Sequence, residues 1–591
     1  MFGQNERSTS RSPHRAVHEH PELRWWAPLS STSQSYFGGA AVGWFDTGAS
    51  GYQRLIVVSA AGTGVQGELR FYRFHPDDLS YSPLVGPVAP FHTIETLRRA
   101  KGTPLLLSDG RVIVRSADSV DCWLPFPSPG TLVWSLPIPM SVASGSSSAK
   151  LAVIEPETER VFVWSVGQLH CLDPDNVSNP VLWASPLVLP TNEDAQTPAI
   201  GPSLEDPSKK LVYVTGFLGQ SATPGSPERL FAFFADGNLQ PGGIYAPLAW
   251  KAAINLHGDG DCEDLSEPQK CAGSLGSPAV HDSPNAAIDG CPVVGSDDFD
   301  LYGFYNSQTI IAPNNMRWSI PSSPAFYISS TPALSPMGEM LFWNESRTFM
   351  FVDHGLTVLN ESRTESGGWV WGAPSVDESR RGFIVRLSGE IEAFRLYEEY
   401  PPGHPLQNRL VPQWSPAFYA PPTIGAHTLK RPTHGQIAVD LDGSLIVVND
   451  GYVFSLRVPA SAVSDFDLSG CVNTSDIDPF LVALLYPECW DQCWGIAAGA
   501  NVVAIGDCNY DGLFNNFDID CHVERFLSPT CTTTIPCTCN DGGESMLGSA
   551  GSASVDYFAE RVLWAYSATN TPIPADILNM ILTRCGDGES Q

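Results

Sequence analysis

The amino-acid sequence predicts a mainly β fold, a seven- or eight-bladed β-propeller, with a small α-helical module behind it. Three observations carry that prediction. One phrase returns across residues 39–457: a small-Pro-small opening, an apolar strand, a polar turn, a second strand, then a Trp. With 52 Gly and 50 Pro in 591 residues, turns are frequent and strands must be short. Near the C-terminus, two twelve-residue acidic loops are each followed by an apolar stripe of helical spacing.

The repeated phrase is clearest in its later copies. Ser277-Pro278-Ala279-Val280 leads through Cys291–Gly295 and Asp300–Phe304 to Trp318, and Thr331-Pro332-Ala333-Leu334 leads through Met340–Trp343 and Leu356–Leu359 to Trp371. Ala373-Pro374-Ser375-Val376 leads to Trp414, while earlier copies end at Trp134, Trp183 and Trp250. Successive closing Trp residues lie 49, 67, 68, 53 and 43 apart, so some units carry insertions. A period near 40–50 with about four short strands is the signature of a propeller blade. The rival arrangement is an array of β-sandwiches. The recurrent Trp residues are expected in the core. Gly62-Thr63-Gly64-Val65-Gln66-Gly67 follows a strand but precedes Glu68-Leu69-Arg70-Phe71-Tyr72, a second strand. It is therefore expected to be a hairpin turn rather than a dinucleotide site.

The acidic loops run from Asp465 to Asp476 and from Asp507 to Asp518. Oxygen-bearing side chains stand at positions 1, 3, 5, 9 and 12: Asp465, Asp467, Ser469, Asn473 and Asp476, then Asp507, Asn509, Asp511, Asn515 and Asp518. Gly470 and Gly512 occupy position 6, where the chain turns sharply. Cys471 and Leu513, at position 7, offer a backbone carbonyl. This is EF-hand spacing with Asp in place of Glu at position 12, and it predicts two Ca2+ ions, one per loop. Ile477, Leu481, Leu484 and Leu485 recur as Ile519, Val523, Phe526 and Leu527, offset by 42 residues. Strand-like Tyr452–Val458 and Pro459 precede the first loop, so the unit reads as loop then helix, twice, without an entering helix.

The propeller phrase resembles the pyrroloquinoline-quinone-like repeat, whose blades close with a Trp packed between neighbours. The paired loops resemble the type I dockerin module, and most closely the dockerin-like repeats of planctomycete proteins, on Asn515–Asp520 and Asp476–Phe480. The resemblance implies a protein partner, cohesin-like or on the cell surface. Positions 10 and 11 differ between the loops, Thr474-Ser475 against Asn516-Phe517, which argues against symmetric docking. Quinoprotein dehydrogenases often carry adjacent cysteines, and none are adjacent here.

A net charge of −31, from 64 acids and 33 bases, disfavours nucleic acid and anionic membrane and favours cations. No run of 18 apolar residues offers a membrane span. Nine of the 14 cysteines crowd the last 121 residues, suggesting a disulfide framework and a secreted, periplasmic or cell-surface location. Met1–Glu22 lacks an apolar signal core, so a start codon further upstream is the favoured expectation. A zinc site from Cys489, Cys493, Cys537 and Cys539 is the weaker alternative to disulfides. Asp259, Asp261 and Glu263 form an acidic loop expected to be pinned by Cys262 and Cys271. His18-Glu19-His20 reads as part of a solvated tail, and Asp297-Asp298 and Glu398-Glu399 as solvated acid pairs.

Nucleophile elbows, His-Glu-x-x-His and Walker loops are absent. The expected organisation is a polar segment at 1–38, a propeller at 39–458, the calcium module at 463–530 and a Cys-containing helical tail at 531–591. The propeller and the module are expected to share no core. The function expected is a binding platform for a carbohydrate or protein ligand, with the module docking or anchoring it. The alternative is a dockerin-bearing hydrolase acting on glycosyl bonds.

Overall fold

The computed structural model describes, with intervals between them, the strands and many of their turns from residue 12 to 458. Beyond that it describes residues 462–469, 472–491, 495, 500–508, 514–515 and 518–526. The acidic loop at 259–264, the four zinc-candidate cysteines as side chains, both acid pairs, His18-Glu19-His20 and the expected helical tail at 531–591 all lie outside the described residues.

Among the described residues, eight antiparallel sheets of four or five strands follow one another along the chain. Seven are contiguous, at 41–96, 105–136, 152–184, 194–253, 279–321, 333–359 and 375–419. The eighth joins Ala438–Val439, Leu445–Asn449 and Tyr452–Arg457 to Glu22–Pro28 from the other end of the chain. Second strands such as Val161–Ser165, Pro292–Gly295 and Met340–Trp343 are buried at every position. Both their faces are covered by neighbouring sheets, so an apolar run replaces the alternation of a half-exposed strand.

What makes these sheets a propeller is how they pack. Phe45 and Phe71 of the first sheet share a core with Val112 and Val114 of the second. Ile113 meets Val161 of the third, and Phe162 meets Phe231 of the fourth. Tyr213 meets Tyr302 of the fifth, and Leu301 meets Phe342 of the sixth. Glu339 of the sixth pairs with Arg380 of the seventh, whose Phe383 and Ile391 pack on Val447 and Phe454 of the eighth. Trp25 and Tyr72, stacked with centroids 5.6 Å apart, carry the contact from the eighth sheet back to the first. The ring is closed.

The closing tryptophans occupy these seams. Trp134, Trp183, Trp250 and Trp318, each on the last strand of its sheet, share clusters with residues of the following sheet. Trp134, Trp183 and Trp250 are core residues, as expected, and Trp318 is half-buried against its cluster. Trp371 and Trp414 lie outside the described residues. Tyr52–Ala61 and Gly67–Arg73 pair antiparallel with Ala61 opposite Gly67, so the glycine-rich segment joins a hairpin.

Two expectations are corrected. The segment before residue 39 is not merely a polar tail: Glu22–Pro28 is a strand running opposite Tyr452–Arg457, and Trp25 and Ala27 are fully buried. Its apolar core, Leu23-Arg24-Trp25-Trp26-Ala27, is too short to read without knowing its partner. Nor are the propeller and the C-terminal module without a common core. Ala462 and Ala504 belong to the cluster of Phe383, Val447 and Phe454.

That module contains α1 (Ile477–Leu485), α2 (Pro487–Trp490), α3 (Val502–Gly506) and α4 (Ile519–Phe526). Helices α1 and α4 follow the two acidic loops, and their stripes meet: Ile477, Phe480, Leu481, Ile519, Val523 and Phe526 form one core around Phe466 and Trp490. The second loop does have a short entering helix, α3. Asn501 caps it, its side chain accepting from the amides of Val503 and Ala504.

Candidate metal centre

In the first loop the carboxylates of Asp465, Asp467 and Asp476 converge, with one ligand atom from each lying within 4.8 Å of the others. All three residues are buried. The loop folds by spending its own amides on them. Ser469 N–H donates to Asp465 Oδ1 and Asp467 Oδ1, at 3.0 Å each. Asp476 bridges the loop, one oxygen accepting from Asp467 N–H at 3.0 Å and the other from Asn473 N–H at 2.9 Å. Ser475 Oγ holds Asp467 Oδ2 at 3.0 Å. Ser464 and Leu468 take positive φ values of 80° and 55°, which wrap the chain around the carboxylates.

Burial, then the nearby carboxylate of Asp467 and more weakly that of Asp465, pushes Asp476 up to about 8 against the amides it accepts from. Like charges gathered out of water disfavour one another, and a cation between them relieves both penalties. Three carboxylates offer an oxygen-only donor set, which suits a hard cation such as Ca2+, while Ser469 Oγ donates to Asp465 Oδ1 and Asn473 Oδ1 accepts from Ser475 N–H.

The second loop repeats the frame where it is described. Asp507 and Asp518 are buried. Asp518 accepts from Cys508 N–H at 2.8 Å and Asn515 N–H at 2.9 Å, repeating the bridge made by Asp476. Asn509, Asp511 and Leu513, like Cys471 of the first loop, lie outside the described residues. A Cys508–Cys521 disulfide, with Cα atoms 5.9 Å apart, ties this loop to α4. Cys122, Cys171 and Cys291 in the propeller are free and buried.

One residue that matters was missed from sequence. His522, fully buried, spans the entrances of both loops. Its Nε2 donates to the Gly506 carbonyl at 2.7 Å, which leaves Nδ1 to accept from Ser464 Oγ at 2.8 Å. Ser464 N–H also donates to the Ile505 carbonyl at 3.0 Å. Four phenylalanines surround the imidazole: Phe466 and Phe480 at 5.0 Å, Phe514 and Phe526 at 6.0 Å. Burial dominates and lowers His522 to about 3, so the ring is neutral. A signal was present. At the 42-residue offset His522 corresponds to Phe480, the one polar break in an otherwise apolar stripe.

No family model matches the chain, and no curated protein matches it. Among solved structures, the chain is similar to one described as the Dos1 propeller, at 10% identity and a TM-score of 0.46, over 74% of this chain and 94% of that one. It is also similar to BBS1N in complex with ARL6DN, at 9% identity and a TM-score of 0.35, over 76% and 99%. Resemblance that distant says nothing about function, and the propeller assignment rests on the order and packing of the sheets.

Proposed function

We propose that this chain is an extracytoplasmic calcium-binding protein whose propeller is an interaction platform and whose C-terminal module docks or anchors it to a protein partner. The observation that carries this reading is the buried convergence of Asp465, Asp467 and Asp476. Uncompensated, three such carboxylates are costly to bury; around Ca2+ they form an ordinary oxygen ligand set. The repeated bridge at Asp518 supports a second ion in the second loop. The blade wording supports kinship with pyrroloquinoline-quinone-like repeats, and the paired loops support kinship with dockerin-like modules. The Cys508–Cys521 disulfide favours an oxidising compartment.

Calorimetric titration of the full chain with Ca2+ tests the reading. Two equivalents are expected. Asp476→Asn should lose one, or bind it at least about tenfold more weakly, near 1.4 kcal/mol. In chelator it should melt lower than the unsubstituted protein, because an amide offers one acceptor oxygen where Asp476 uses both. A protein that takes up no Ca2+ at all overturns the proposal.

A further inference from the structure

Ser12 and His14–Ala16 form an N-terminal strap that contacts three regions distant in sequence: the seventh sheet, the eighth sheet and the C-terminal module. Ser12 N–H donates to the Val376 carbonyl at 2.8 Å, and Ser12 Oγ to the Val439 carbonyl at 3.4 Å, fastening the strap across the seventh and eighth sheets. Ala16 N–H donates to Asp377 Oδ2 at 2.8 Å, and its carbonyl accepts from Arg381, which is itself paired with Asp377 at 2.8 Å. Both members of that ion pair are buried, so they form a fixed receptor for one backbone unit. Between these anchors, Arg15 turns the other way. Its guanidinium pairs with Asp491 and donates to the Ala500 carbonyl at 3.2 Å, both in the C-terminal module.

Asn501 completes the junction. Its Oδ1 caps α3, while its Nδ2 donates to the Arg15 carbonyl at 2.7 Å and the Leu441 carbonyl at 2.9 Å. One side chain thus binds the helix entering the second loop, the strap and the eighth-sheet turn. Ala504, one turn further along α3, lies in the propeller core, and Asp507 at the end of α3 opens the second acidic loop.

We propose that residues 12–16 are a clamp, with Asn501 as its bolt, that joins the propeller and the module into one cooperative unit. Ion binding at the second loop then stabilises the propeller as well as the module. The second statement rests on the calcium reading; the first does not. By linkage, a ligand that binds only the native state raises the stability of everything that unfolds with its site, and nothing else.

Differential scanning calorimetry of the full chain, with Ca2+ and with chelator, separates the two. The unsubstituted protein should melt in one transition that Ca2+ moves upward as a whole. Arg15→Met combined with Asn501→Asp keeps the helix cap, since a carboxylate still accepts from the α3 amides, but removes the three donors to strap, turn and module. This variant should melt in two transitions, of which Ca2+ moves only the smaller. An unsubstituted protein already showing two independent transitions overturns the clamp. So does a variant that still melts in one. If Ca2+ moves no transition, the calcium reading fails, while the number of transitions in each protein still decides the clamp.

Discussion

His522 shows how one side chain sets the terms for its surroundings. Neutral, it donates once and accepts once, and both partners are backbone or hydroxyl groups at the thresholds of the acidic loops. Protonated, it would carry two donors and a charge into a cage of phenylalanines. In the unfolded chain the imidazole titrates near 6.5, whereas in the fold it is held down to about 3. Above about 6.5 both states are neutral and the contact is fully felt. As pH falls through that value the unfolded state takes up a proton that the native state refuses, so stability falls by at most about 1.4 kcal/mol per unit, down to about 3. His522→Phe, which restores the counterpart of Phe480, should remove that slope. It should also cost about 1–3 kcal/mol at neutral pH by stranding Ser464 and Gly506. Urea denaturation at pH 7 and pH 5 checks both statements. An unchanged slope would mean that another group titrates.

At the scale of elements, the blade is defined by where its closing Trp lies. Gly303, on the third strand of the fifth sheet, pairs directly with Trp318 on the fourth. A Cβ at position 303 would fall inside the indole ring. The side chain here is absent because the neighbouring ring occupies its place, not because the backbone needs unusual angles. Gly303→Ala should therefore push Trp318 out of the seam with the sixth sheet and destabilise by about 1–3 kcal/mol. Red-shifted Trp fluorescence with a lowered melting temperature would report it. A variant as stable as the parent would show that the seam yields without loss. The two acidic loops follow similar logic: an Asp at position 12 of each accepts two amides, fixing the loop whichever residues stand at the variable positions.

For the whole molecule, closure depends on one strand. Glu22–Pro28 supplies the fourth strand of the eighth sheet, and Trp25 on it packs against Tyr72 of the first. Trp25→Ala should cost about 3–5 kcal/mol, the upper range for a buried aromatic, because it opens a cavity at the seam where the ring shuts. Chemical denaturation gives the figure directly. A loss below about 1 kcal/mol would mean that the ring holds without this seam. Closing a ring with the two ends of the propeller segment converts sheets that each need a neighbour into a structure with no first or last member.

Much of this was legible in the sequence because it is local. Alternation of strands and turns, the Trp that recurs on last strands, and the spacing of acidic side chains in a twelve-residue loop are all written within a few dozen residues. The apolar stripes of α1 and α4 were equally plain, being periodic and repeated at a constant offset. Local pattern therefore determined the blades, the hairpin that joins Ala61 to Gly67 and the convergence of Asp465, Asp467 and Asp476. What only the tertiary structure decided has its cause in distance along the chain. Glu22 pairs with Arg457, Ala16 lies on Asp377, and Asn501 bonds Arg15. No period or spacing marks such contacts, since each depends on where the closed ring carries two remote segments. A polar strap became a clamp, and a module expected to stand apart became part of the propeller's core, because packing rewards burial without regard to sequence separation.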